Sequence, residues 1–305
     1  MRYVMNVTSA FFCSALLSSA CIVDYDYEDT NIEKARAEVS ATKLSLNKLS
    51  LNQLSLNKLS LSRLGSSNLA SGELPDGRFA LDEGSTDGME QTSEGREVLA
   101  YVVKCALSDS EVLVFESQGV EYEFEGVLGL VPDWKTRGLS ISERRLISAC
   151  LLAHGNAFGV SVPISARIDD LIPVGDDEKA RYVRHEGAFY GDVFETAQPM
   201  YACWGSTPPD FSASYPNHDL TEGDRLLRRC TDVSPVQPDK TVCGVTYVGP
   251  CSEVCAVHRE NGYLDCFGGV GIPGTMYGEV MSIWLLAYDD TNSVWPILYD
   301  KVYGP

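Results

Sequence analysis

From about residue 96 onward, short apolar runs alternate with turn residues, and the runs read as strands more often than as helices. Residues 98–107 are continuously apolar apart from Lys104, which predicts a buried strand. Residues 111–116 and 120–126 predict two strands joined at Ser117-Gln118-Gly119. In the second, Val120, Tyr122 and Phe124 alternate with Glu121, Glu123 and Glu125, so one face should be buried and the other acidic. The period changes at residues 142–154. Leu146, Ile147, Cys150 and Leu151 fall on one helical stripe, Ser140 with Glu143 makes a capping box, and Gly155 ends the helix. That stripe places Cys150 on the buried face, where it can pair with Cys105 in the first strand. Residues 159–168 read as strand again, and residues 186–194 as a strand or turn lying on the core. Residues 221–229 predict a short basic helix ending at Cys230. Residues 243–266 read as loop with a turn at Gly249-Pro250-Cys251, and residues 279–287 and 295–303 as closing strands. Strands outnumber helices, so the expected class is α+β, β-rich, in one globular domain spanning 96–305.

The stretch before residue 96 has a different character. Residues 1–20 carry one basic residue, Arg2, and an apolar run from Val4 to Leu17, then Ser18-Ser19-Ala20 ahead of Cys21. The run is too short and too polar to span a bilayer, and the small residues suit a signal peptidase. It resembles the lipobox of bacterial lipoproteins, with Ser18 standing where that motif usually has Leu. The resemblance implies that Cys21 is lipidated and anchors the chain to the cell envelope, at the outer membrane or surface. An ordinary cleaved secretory signal and a retained anchor are the alternatives, and all three export the chain. Residues 21–42 are acidic and form an extended tether.

Residues 43–64 place leucine every five residues, at Leu44, Leu49, Leu54, Leu59 and Leu64, with a second register at Leu46, Leu51, Leu56 and Leu61. Five residues turn a helix by about 500°, which spreads the leucines around the cylinder, and an odd period alternates faces on a strand. A solenoid with sides one repeat long does fit. The stretch resembles the pentapeptide-repeat family, whose four-sided β-helix implies a short coil here. Its length is little more than one coil, and such repeats need neighbours to stack on. A linker that packs incidentally on the main domain and a self-pairing module through residues 43–64 are the other readings. Lys43, Lys48, Lys58 and Arg63 also make the stretch locally basic. Residues 65–95, rich in Gly, Ser, Asp and Glu, read as a flexible linker.

Charge narrows the partners. The chain carries a formal charge of -19, and removing residues 1–20 takes away only Arg2, giving -20. A surface this acidic argues against nucleic acid, which needs clustered Lys and Arg. Outside the signal and Cys21, eight cysteines remain: Cys105, Cys150, Cys203, Cys230, Cys243, Cys251, Cys255 and Cys266. An even set in an exported chain reads as a disulfide framework.

Three groups of residues are candidates for chemistry. Cys251, Cys255 and His258, with Cys243 and Cys266 nearby, offer zinc-type donors, against which stands pairing of the same thiols in an oxidising compartment. Asp169, Asp170, Asp176, Asp177 and Glu178 offer hard oxygens for calcium, without the spacing of a known calcium loop. For catalysis, His185 with Glu186 or Asp192, and His218 beside Asp219, are the available bases. The chain carries no Gly-x-Ser-x-Gly elbow, no His-Glu-x-x-His helix and no phosphate-binding glycine loop. No cofactor is expected.

Cys105-Ala-Leu, Gly129-Leu-Val-Pro-Asp-Trp134, Ala149-Cys-Leu-Leu-Ala153, Glu186-Gly-Ala-Phe-Tyr-Gly191, Cys243-Gly and Gly249-Pro-Cys251 together resemble a group of exported lipoproteins from predatory soil bacteria. The resemblance implies export and a disulfide framework, and no substrate. Three functions follow: a lipid-tethered binding or structural module of the envelope; an exported hydrolase of extracellular polymers, calcium-dependent if the acidic loop holds the ion; and an assembly protein that self-associates through residues 43–64. A pocket where at least two of His185, Glu186, Asp192 and His218 converge would favour the hydrolase, and scattered histidines the binding module.

Overall fold

The computed structural model describes residues 64–156, 162–169, 171–172, 174–195, 197, 199–205, 245–268 and 274–286, with the backbone of 51–52 and 54–55. In chain order its elements are β1 (Leu51–Asn52), β2 (Leu54–Ser55), β3 (Ala70–Glu73), β4 (Phe79–Leu81), α1 (Ser93–Ala106), β5 (Val112–Ser117) and β6 (Val120–Glu125). There follow α2 (Ile141–His154), β7 (Gly155–Asn156), β8 (Val162–Arg167), α3 (Asp176–Arg181), β9 (Arg184–Gly191), β10 (Met200–Trp204) and β11 (Thr246–Pro250). The last are α4 (Cys251–Val254), β12 (Cys255–Arg259), β13 (Gly262–Phe267), β14 (Met276–Tyr277) and β15 (Met281–Leu285). The fold is β-rich with few helices, as the pattern of apolar positions predicts.

The central sheet has six strands in the order β1-β8-β15-β9-β10-β11, with β15, expected as a closing strand, in its middle. One face of it carries Ile164, Ala166, Phe189, Ala202, Met281 and Ile283, all buried in a core shared with α1 and α2. A second sheet, β3-β4-β5-β6, contributes Phe79, Leu81, Leu113, Phe115 and Phe124 to that same core. The opposite face of the central sheet carries Ala188, Tyr190 and Cys203 and packs on the three-stranded sheet β12-β13-β14 through Tyr263, Cys266 and Tyr277.

The α2 helix starts where the capping box predicts: the Ser140 side chain accepts from the Glu143 backbone, and the Glu143 carboxylate accepts from the Ser140 backbone. The β5–β6 hairpin turns at Gln118-Gly119, where φ is 55° and 78°. Two successive positive φ angles are what a two-residue turn needs to match strand twist, and glycine adopts one of them without steric cost. On β6 the expected alternation holds at Phe124, which is buried, but Val120 is 52% exposed at the hairpin tip.

Three expectations are corrected. Residues 98–107 lie in helix α1, not in a strand. Val98, Leu99, Val102, Val103, Cys105 and Ala106 are fully buried, because α1 is packed by β-sheet on one side and α2 on the other. The helix shows solvent one narrow stripe, Ser93, Arg96, Glu97, Ala100 and Lys104, of which the window 98–107 contains only Ala100 and Lys104, so that window reads as a continuous apolar run.

Residues 65–95, expected as a flexible linker, contribute β3, β4 and two turns of 3-10 helix. Their few apolar side chains, Leu69, Ala70, Phe79, Leu81 and Met89, are all buried. The Leu69 amide donates to the Trp134 carbonyl at 2.7 Å, and the Trp134 indole donates to the Ser67 carbonyl at 2.6 Å. Among the described residues, 64–95 thus share the core of the residues that follow.

Residues 246–267, expected as loop, form β11, α4, β12 and β13. Within the leucine repeat, the backbone of β1 pairs antiparallel with β8, and that of β2 pairs parallel with β7. The predicted elements at 221–229 and 295–303 lie outside the described residues.

Candidate functional site

Three disulfides join described cysteines: Cys105–Cys150, Cys203–Cys251 and Cys255–Cys266. The first is the pair expected, although it links α1 to α2 and not a strand to a helix. Cys21, Cys230 and Cys243 lie outside the described residues. The zinc reading of Cys251, Cys255 and His258 is corrected by the two later bridges. Both thiols are bonded to other sulfurs, so neither is a thiolate able to ligate the ion.

Of the expected hydrolase residues, Glu186 stays next to His185 in β9, whereas Asp192 is separated from it by strand geometry. His185 stands at one end of β9 and Asp192 just beyond the other, roughly 23 Å apart at about 3.3 Å per residue. His218 lies outside the described residues. Asp192 is fully buried against α2. Its backbone amide donates to the Pro199 carbonyl at 2.9 Å, and its carboxylate accepts from the Phe194 amide at 3.0 Å. Arg144 comes within 3.1 Å of the other carboxylate oxygen, an ionic contact without the angle of a good hydrogen bond. Burial pushes the Asp192 carboxyl above the usual range, opposed by the charge of Arg144. It serves the junction of α2 with the end of β9.

His185 belongs to another neighbourhood, and a one-residue irregularity puts it there. Along β15 and β9, Met281 pairs with Phe189, Ser282 with Ala188 and Ile283 with Gly187, but Trp284 pairs with His185, leaving Glu186 as an extra residue. A bulge of this kind re-aims the side chains beyond it. Strict alternation from Phe189 would send His185 to the aliphatic face; the bulge sends it to the opposite one, beside Trp284.

There it joins a stack of rings. The His258 and Tyr263 ring centroids are 4.5 Å apart, Tyr263 and His185 5.4 Å, and His185 and Trp284 4.7 Å. The Arg167 guanidinium lies 4.4 Å from the Trp284 ring centroid. The stack runs from exposed His258 to Arg167, which is only 3% exposed. Arg167 donates from Nε to the Ser165 hydroxyl at 3.0 Å and from Nη2 to the Tyr182 carbonyl at 2.9 Å. Burial lowers its pKa to about 10, opposed by the charges of Glu178 and Glu260. Burial likewise lowers His185 to about 3, opposed by a hydrogen bond to the Gly187 backbone. His185 is therefore a neutral imidazole at pH 7, and a base this weak holds no proton there for acid catalysis. Its Nε2 and the Trp284 Nε1 are buried without a hydrogen-bond partner among the described residues. Glu186, at the bulge, is also buried.

The acidic candidates for calcium are divided among different partners. Asp169 pairs with Arg259 of β12. Asp176 and Asp177 are exposed in the first turn of α3, where carboxylates favour the helix dipole. Glu178 on the same turn is buried near Arg167, and Asp170 lies outside the described residues. Expected as loop, residues 176–178 are helical.

Sequence reading missed Arg167, Tyr263 and Trp284. The available signal was the alternation of Ser165 and Arg167 with Ile164, Ala166 and Ile168, which marks a strand whose two faces meet unlike surroundings. No protein-family model, curated protein or solved structure matches this chain.

Proposed function

We propose that the protein is an exported binding or structural module of the cell envelope, tethered through lipid on Cys21 and stapled by disulfides. The observation that supports this reading is the bonding of all six described framework cysteines in three bridges, a pattern that suits an oxidising compartment. The separation of His185 from Asp192 supports a binding or structural role over a hydrolase built on those residues. A tethered module needs a rigid body, and bridges that reduce the freedom of the unfolded chain provide it. In this reading the role of the acidic residues at 21–42 is that of a spacer, since like charges along a linker repel.

The test is fractionation of cells producing the wild-type chain and the Cys21→Ser variant, with mass spectrometry of both under non-reducing conditions. The wild-type protein should sediment with membranes and carry the mass of a lipid, the variant should appear in the soluble fraction, and the framework cysteines should resist alkylation. Continued membrane association of the variant would refute the lipid tether; free thiols at these positions would refute the compartment.

A further inference from the structure

Two of the three bridges lie against each other. Cys203 of β10 is bonded to Cys251 at the start of α4, and Cys255, one helical turn after Cys251, is bonded to Cys266 directly opposite it on β13. The turn of α4 thus delivers one sulfur to each bridge. Cys203 Sγ is 3.7 Å from Cys255 Sγ, and Cys203, Cys255 and Cys266 have their sulfurs within 4.8 Å of one another. Cys203, Cys251 and Cys266 are buried, whereas Cys255 is part-exposed. The Cys105–Cys150 bridge, fully buried among aliphatic side chains, belongs to the other core.

Disulfides exchange by attack of a thiolate on a bonded sulfur, at a rate set by access and by the leaving thiol. Two bridges at van der Waals contact satisfy the access condition for each other. We propose that Cys203, Cys251, Cys255 and Cys266 form a thiol–disulfide exchange centre whose co-reactant is an external dithiol and whose entry point is Cys255. This activity is independent of the lipid anchor.

The steps balance as follows. A thiolate of the dithiol attacks Cys255 Sγ, the Cys255–Cys266 bond breaks and its electron pair leaves on Cys266 Sγ. The second thiolate of the dithiol then closes on the first, expelling Cys255 Sγ as a thiolate and leaving the reagent oxidised to its own disulfide. Cys255 Sγ attacks Cys203 Sγ across the 3.7 Å contact, and the Cys203–Cys251 bond breaks with its electron pair on Cys251 Sγ. Two electrons have entered. They rest on Cys251 and Cys266, each of which takes up one proton given up by the dithiol, and a new Cys203–Cys255 bridge remains. Reversal returns both electrons to a disulfide acceptor.

Limiting dithiothreitol is the probe. The purified full chain is treated briefly, quenched with acid, alkylated, digested without reduction and mapped by mass spectrometry. The singly reduced protein should contain a Cys203–Cys255 linked peptide, alkylated Cys251 and Cys266, and an intact Cys105–Cys150 bridge in the same molecules. That intact bridge separates local exchange from scrambling through unfolding.

Two variants approach the same bridge from opposite sides with no reductant. Cys251→Ser frees Cys203, which should displace Cys266, and Cys266→Ser frees Cys255, which should displace Cys251. Both should show the Cys203–Cys255 bridge. Singly reduced wild-type protein alkylated only at Cys255 and Cys266, with Cys203–Cys251 retained, overturns the proposal whether or not either variant folds. A free thiol that stays on Cys203 in Cys251→Ser, with Cys255–Cys266 intact, overturns it as well.

Discussion

The two faces of the central sheet are built from the same strands and do opposite things. Toward α1 and α2, β8, β9, β10 and β15 present Ile164, Ala166, Phe189, Ala202, Met281 and Ile283, apolar side chains packed around one buried bridge. Toward β12-β13-β14 they present Ser165, Arg167, His185, Cys203, Ser282 and Trp284, with polar atoms that need partners and sulfurs that can exchange. Apolar burial contributes roughly 25 cal/mol per Å² wherever it occurs. Buried polar groups cost free energy unless satisfied. The aliphatic face is therefore expected to carry the stability, and the polar-aromatic face to carry whatever chemistry the protein has.

That contrast can be broken most directly at Phe189, fully buried on the aliphatic face. Phe189→Ala should cost about 3–5 kcal/mol, read as a lowered urea midpoint, by lost transfer energy and the cavity left behind. A cost under about 1 kcal/mol would mean that this face does not carry the fold.

The second probe is pH, and it acts on the opposite face. The His185 imidazole titrates at about 3 in the fold against 6.5 for a free histidine, with Arg167 and His258 as the charged or titratable groups facing it. A base whose folded pKa is depressed contributes stability that is fully present above 6.5 and is lost as pH falls toward 3. The loss should total up to roughly 4 kcal/mol by linkage. His185→Phe keeps a ring in the stack and should abolish that acid slope; an unchanged slope in denaturation midpoints between pH 6.5 and 4.5 would place its origin elsewhere.

Removing the bridge on the aliphatic face is the third probe. Cys105→Ala with Cys150→Ala should destabilise by about 2–4 kcal/mol, measured by thermal or urea unfolding. It should leave the exchange chemistry of the other face untouched.

The smallest effect is expected at Glu143. Its hydrogen bond with Arg137 holds the carboxyl at about 2, below the usual 4.5, so its contribution is present above 4.5 and lost as pH falls through 2. The site is near the surface, and Glu143→Gln should cost about 1 kcal/mol or less at pH 7. The same variant should flatten the acid limb only below pH 4.5, which distinguishes it from His185→Phe. A variant with the wild-type acid limb would remove Glu143 from the account.

Much of the fold was legible where a local device carried it. The capping box of Ser140 and Glu143 marks the start of α2, and Gln118-Gly119 marks the β5–β6 turn, because capping and positive φ are satisfied within a few residues. Residues 98–107 were misread because most of the helix's exposed stripe, Ser93, Arg96 and Glu97, lies before that window, which keeps only Ala100 and Lys104 of it. The segment 65–95 was misread for the opposite reason. Its composition is that of a linker, yet Leu69, Phe79, Leu81 and Met89 each find a partner supplied by distant elements.

Of the candidate site, the sequence by itself determined the residue types: an even framework of cysteines, the helix that buries Cys150, and the presence of His185 and Asp192 in one segment. Which sulfur bonds to which, and which sulfurs touch, was decided by β10, α4 and β13 meeting in space. The face on which His185 falls was decided by a single extra residue in the β9–β15 register. Local energies choose turns and caps within a few residues, whereas register and bridge partners are set by contacts between segments far apart in the chain, which no local pattern encodes.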